Sequence, residues 1–244
     1  MAVSDVTWGG LRARVVSRLP AGAPPRLVVV LAHGYGAPAS DLVGLAQPLY
    51  DQSPALDAVA LVFPAGCLDL SSQGLPGGRC WWPIDLERLI YRPTPDVLAR
   101  FRRDCPDGLP AASARLTDLI HEASRHLGVG TGRFVLGGFS QGSMLATDVA
   151  LRLPDPPAGL CILSGGLTNE AQWRELAPHR GRLRVFQSHG HYDSILPYPM
   201  GVALRDLLQE AGADVEFFGF PGDHEIPREV ISRLARWLED RLAD

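Results

Sequence analysis

The chain has 244 residues, within the range of one large α/β domain, and 46% of them are hydrophobic, ordinary for a chain with a substantial core. Its formal net charge of −4, with the arginines spread along the chain and not gathered in a stripe, offers no basic field for a phosphate backbone and argues against a nucleic-acid partner. The opening stretch MAVSDVTWGGLRARVVSRLP holds no apolar h-region and the most continuous apolar run, LVVVLA, is too short to cross a bilayer, so no stable membrane insertion is expected and the protein reads as soluble and cytoplasmic.

In chain order, LRARVVSRL (11–19) alternates as a half-exposed edge strand does. RLVVVLA (26–32) is a short continuous apolar run, the pattern of a strand buried on both faces. A helix over 41–52 opens behind Ser40, and DAVALVF (57–63) is the next buried strand. The region 66–110 is irregular and rich in glycine and proline, with GGRCWWPIDL at its middle and a lid-like stretch, LERLIYRPTPDVLARFRRDCPDG, at its end. A loop that long in a compact domain is more often functional than idle. Helical spacing then marks 110–127, followed by strand GRFVLGG (132–138), helix 141–153, strands AGLCILSG (158–165) and RLRVFQS (182–188), helix 198–211 and strand ADVEFFGF (213–220). In the last helix, 226–242, Ile226, Val230, Leu234, Trp237 and Leu238 form one stripe against a sheet. This alternation predicts an α/β fold: a mainly parallel sheet with helices on both faces and right-handed crossovers, in a single domain over 1–244.

All 23 basic residues are arginine and Asn169 is the only asparagine, a coding bias expected of a GC-rich bacterial genome. Cys67, Cys80, Cys105 and Cys161 contain no C-x-x-C pair and read as reduced structural thiols. No feature of the sequence sets an oligomeric state.

Ligands of an open parallel sheet bind beyond the carboxyl ends of its strands, where four segments stand: AHGYGA, GFSQG, SHGHYDSILP and PGDHEIP. GFSQG fits G-x-S-x-G, in which the serine occupies a strained strand-to-helix turn and the small flanking residues let strand and helix nearly touch. With 26 glycines in the chain the pattern alone carries little, but its place between an apolar strand and an amphipathic helix makes Ser140 the candidate nucleophile. A serine hydroxyl needs a base to take its proton, and the base needs a carboxylate to hold its tautomer. In this fold the order is serine, acid, histidine. His224 is the only histidine after the last predicted strand, and Asp193 follows the penultimate one. Asp223, adjacent to His224, reads as a turn residue. Oxyanion donors are expected from the backbone N–H of Gln141, at the helix start, and of Tyr35 in HGYG, with His33 bracing that loop.

The ordered set AHGYG, FPAG, WWPID, GFSQGS, HGHYDSILP and GDHEIP resembles the carboxylesterase/phospholipase group of α/β-hydrolases, which includes the acyl-protein thioesterases. The likeness covers nearly the whole chain. It implies an α/β-hydrolase fold and a serine esterase with Ser140 as nucleophile, Asp193 as acid, His224 as base and Tyr35 with Gln141 as oxyanion donors. It also implies that Trp81, Trp82 and Asp85 of WWPID line or brace a substrate pocket; capping the core is the other reading of two tryptophans. The expected partner is a small ester or thioester, lysophospholipid included, and no cofactor is called for. Eukaryotic thioesterases have an aspartate soon after H-G-x-G, where this chain has Ala37, and small residues after the histidine, where it has Glu225, Ile226 and Pro227. These differences weaken the case for lipidated protein substrates.

Two other readings remain open from the residues. His189, His191 and Asp193 alternate as metal ligands do, although Ser194 stands where the closing histidine of such a motif belongs. A hydrolase-shaped binding protein is the second, since fold does not dictate function, although such a protein is expected to lack one of the three catalytic groups.

Overall fold

In the computed structural model, which describes residues 1–85 and 94–243, an eight-stranded sheet runs through the molecule. Its spatial order is β1 (Ala2–Trp8), β2 (Leu11–Ser17), β4 (Val59–Pro64), β3 (Leu27–Ala32), β7 (Phe134–Phe139), β8 (Gly159–Leu163), β9 (Arg184–Gly190) and β10 (Asp214–Phe220). Every pairing from β4 to β10 is parallel, and only β1–β2 and β2–β4 are antiparallel. LVVVLA of β3 and VALVFP of β4 are buried at every position, which is why they read as unbroken apolar runs.

The sheet is covered on both faces, and alternate residues of one strand serve the two sides. Val28 and Val30 of β3 join one core with Leu116 and Ile120 of α3 (Leu109–Leu127), Leu145 and Val149 of α4 (Gln141–Arg152) and Leu204 and Leu208 of α6 (Tyr198–Glu210). Val29 and Leu31 join the other, with Leu49 and Tyr50 of α1 (Ala46–Tyr50) and Leu234, Trp237 and Leu238 of α7 (Arg228–Ala243). Each such side chain, fully buried, contributes about 1.5–3 kcal/mol relative to exposure. Among the described residues no helix is long and apolar enough to cross a membrane.

Several local expectations are corrected. The strand over 11–19 is not an edge: β1 pairs along its whole length, Ala2 against Ser17 and Trp8 against Leu11. Only Trp8 of β1 is buried, so this true edge strand carries no apolar signal. The helix expected over 41–52 is a 3-10 turn, Asp41–Leu45, followed by the single short α1, and Ser40 makes no side-chain cap. Pro48 lacks an amide hydrogen and fits only the first turn of a helix, so the α segment starts close before it.

Within 66–110, residues 86–93 lie outside the described residues. The remainder is not irregular throughout. It holds a two-stranded ribbon, β5 (Leu68–Asp69) with β6 (Arg79–Cys80), and α2 (Pro95–Arg103). Thr94 caps α2 by accepting the Val97 amide, Pro95 occupies its first position and three arginines its last turn. The Arg102 guanidinium forks onto Glu170 of α5 (Glu170–Leu176), and the Thr168 hydroxyl donates to the Phe101 carbonyl at 2.9 Å. The far end of this region is thereby tied to the loop after β8.

Candidate active site

Ser140 sits between the end of β7 and the start of α4 with φ 52° and ψ −121°, a conformation that costs a non-glycine residue about 1–3 kcal/mol. Its neighbours explain the glycines. A Cβ at Gly142 would lie 2.0 Å from the Ala32 carbonyl oxygen, and one at Gly138 would lie 2.4 Å from the same atom. Strand β3 thus touches the turn from below, and no side chain fits between. The Ser140 amide donates to the Leu163 carbonyl at 2.9 Å, and its own carbonyl accepts the Ser143 amide at 3.0 Å and the Ser143 hydroxyl at 2.7 Å.

Asp193 and His224, 31 residues apart, meet on the loops after β9 and β10: Nδ1 of His224 lies 2.7 Å from Oδ2 of Asp193. The other carboxylate oxygen accepts the Ile195 amide at 3.0 Å and the Leu196 amide at 2.7 Å. Burial by itself would raise the Asp193 carboxyl. Hydrogen bonds from His189, His224 and the Leu196 amide outweigh it and hold the group well below the usual carboxylate range. The His224 ring lies against Phe139, the residue before Ser140, with ring centroids 4.7 Å apart. Asp223 takes the turn role expected of it: its Oδ1 accepts the amides of Ser194 and His224 and the Ser194 hydroxyl.

The HGYG loop follows β3 and borders the serine, since a Cβ at Gly34 would come within 3.4 Å of Ser140 Cβ. Among the described residues, neither the Tyr35 nor the Gln141 amide has a protein acceptor. His33 braces the loop from within. Its Nε2 accepts the Gly66 amide at 2.8 Å, so Nδ1 carries the hydrogen and donates to the Gly34 carbonyl at 2.8 Å. Burial lowers its pKa and keeps it neutral.

Both tryptophans of WWPID are fully buried. The Trp81 indole donates to the His33 carbonyl at 2.8 Å, so this ring braces the HGYG loop. Trp82 lines a cavity of about 230 Å³ together with Ile84, Asp85, Val97 and Phe101. Sequence reasoning missed what joins them to the serine. The side-chain amide of Gln141 accepts the Trp81 amide at 3.0 Å and donates to the Trp82 carbonyl at 2.7 Å. No local pattern signals a clamp that spans 60 residues.

The metal arrangement considered for His189, His191 and Asp193 does not form. His189 turns Nε2 to the Leu196 carbonyl at 2.8 Å, which requires a hydrogen on that nitrogen. The His191 ring packs edge-on against Tyr198, centroids 4.8 Å apart. Among the described residues no group of three His, Cys, Asp or Glu side chains is placed to hold a metal ion.

Comparison with known proteins bears on family and fold. A family model described as phospholipase/carboxylesterase matches residues 15–241. An acyl-protein thioesterase 1 of Neurospora crassa is 27% identical over 232 residues, 92% of this chain and 90% of that protein. A probable carboxylesterase of Oryza sativa is 32% identical over 107 residues, 43% of this chain and 40% of the other. Among solved structures, the esterase PE8 superposes with a TM-score of 0.77 at 25% identity, covering 98% of this chain and 99% of that one.

Proposed function

The chain belongs to the phospholipase/carboxylesterase family of ester-cleaving α/β-hydrolases, and from that premise we propose that it works as a serine hydrolase with Ser140 as nucleophile, His224 as general base and Asp193 as its orienting acid. The observation that carries the proposal is the 2.7 Å contact of His224 Nδ1 with Asp193 Oδ2, on loops that leave the sheet at the same end as the strained Ser140 turn. With Nδ1–H committed to the carboxylate, Nε2 is the free base. It takes the Ser140 proton as the hydroxyl attacks the acyl carbon, then returns that proton to the departing alcohol or thiol. Water repeats the sequence on the acyl-enzyme, with the proton returning to Ser140.

Charge that develops on the carbonyl oxygen is met by the N–H groups of Gln141 and Tyr35. The α4 start aims the first and the His33-braced turn the second, and each donor is worth about 3 kcal/mol of transition-state stabilisation. Neither amide has an acceptor among the described residues, which leaves both available to an oxyanion. The proposed substrate is a small carboxylic ester, with thioesters and lysophospholipids inside the same chemistry. Residues 1–244 are taken as one catalytic domain acting in a bacterial cytoplasm without a nucleic-acid partner.

The test is hydrolysis of a panel of p-nitrophenyl esters, acetate to palmitate, with acyl-thioester and lysophospholipid competitors, alongside labelling by a fluorophosphonate. Wild type should turn over and label, and Ser140→Ala should do neither. Full activity in Ser140→Ala would sink the assignment. Strong chelators should leave wild-type activity intact; loss of activity on chelation would favour metal chemistry instead.

A further inference from the structure

His189 is the penultimate residue of β9, fully buried, and has no part in the relay proposed above. Its Nε2 lies 2.8 Å from the Leu196 carbonyl oxygen and 3.3 Å from Asp193 Oδ2. Both partners are acceptors, so the ring hydrogen sits on Nε2 and is shared between them. Nδ1 faces Gly201 of α6, where a Cβ would lie 2.4 Å from it, and the Tyr198 ring stands edge-on at 6.0 Å. The imidazole is thus wedged between β9 and α6 with its N–H edge turned toward the acid loop. Leu196 is held twice there: its amide by Asp193 Oδ1, its carbonyl by His189.

We propose that His189 is a positioning residue for Asp193: its Nε2–H, shared by the Leu196 carbonyl and Asp193 Oδ2, fixes the rotamer in which the carboxylate meets His224. The proposal rests on the Ser140, His224, Asp193 reading above. Two consequences follow from sharing Oδ2 between two imidazoles. Without His189 the carboxylate loses a lateral restraint, and its charge falls more fully on His224, which favours the imidazolium. Other charged or titratable groups near the pair are accounted for. Asp223 is engaged by Ser194 and by the His224 amide, Glu225 lies against Gly222 in the same loop, and His191 and Tyr198 pack on each other beside β10.

The measurement is the pH dependence of kcat and kcat/KM for p-nitrophenyl butyrate in wild type, His189→Leu, His189→Gln and Gly201→Ala, with melting curves to establish folding. His189→Leu should lose about tenfold or more in kcat with little change in KM. Its acid limb should move to higher pH. His189→Gln places an amide N–H where Nε2 stood and should restore the limb and most of kcat. Gly201→Ala pushes on the ring from α6 and should reproduce the shift in weaker form. A folded His189→Leu with the wild-type limb and kcat overturns the proposal. If that variant does not fold, a wild-type limb in Gly201→Ala overturns it. Failure of the underlying reading looks different: Ser140→Ala would remain active whatever happens at position 189.

Discussion

Replacing Gln141 by leucine keeps the volume and removes the clamp on the two tryptophans. The Trp81 amide and the Trp82 carbonyl then lose their side-chain partner at a site the solvent does not reach. Leaving one buried donor or acceptor unmet costs about 1–3 kcal/mol, so two such groups set a loss of about 4 kcal/mol. For a chain of this size each kcal/mol shifts the melting temperature by about 2–4 °C, which gives a fall of about 8–16 °C. Leucine is close to glutamine in volume but one bond shorter, so any void left at the amide position adds to this loss. Differential scanning calorimetry on purified wild type and Gln141→Leu reads the shift directly, and urea titration checks that the slope m is unchanged. A melting temperature within 2 °C of wild type would show that the side-chain clamp carries no net energy and would refute the reasoning.

Three further outcomes are expected. Asp193→Asn should lower kcat by about 10⁴-fold by disfavouring the working tautomer of His224, read by initial rates on an activated ester. Because the folded-state pKa of Asp193 is depressed, its stabilisation is fully present above the unfolded carboxylate value and is lost as pH falls through the depressed one. The stability gap between wild type and Asp193→Asn should therefore narrow below about pH 4 in acid titrations followed by circular dichroism, and a constant gap would contradict the assignment of the shift. Gly142→Ala drives a Cβ to 2.0 Å from the Ala32 carbonyl, backbone against backbone, and should cost more than about 4 kcal/mol, seen as loss of soluble folded protein. A wild-type melting curve for that variant would mean β3 and α4 are not in contact.

The sequence was most legible where burial is complete. Strands β3, β4, β7 and β8 are almost wholly inside, so hydrophobicity alone outlined them. It was blind to β1, whose pairing is through the backbone while most of its side chains face water, and to α2, none of whose residues is fully buried. The positions of Ser140, Asp193 and His224 could be inferred because each follows a strand that the apolar pattern had already located. Partners reached by side chains across the chain were not legible. Nothing near His189 in sequence indicates that its Nε2 turns back to Leu196, and nothing in GFSQG indicates that its glutamine grips residues 81 and 82.

The left-handed backbone at Ser140 has a consequence for how such a chain evolves and how it can be engineered. Glycine would adopt that turn without strain, so pressure for thermal robustness alone would drive the position away from serine. With Ser140 as the proposed nucleophile, a screen that rewards only survival on heating is therefore expected to enrich inactive sequences here, and a useful screen has to demand turnover in the same step.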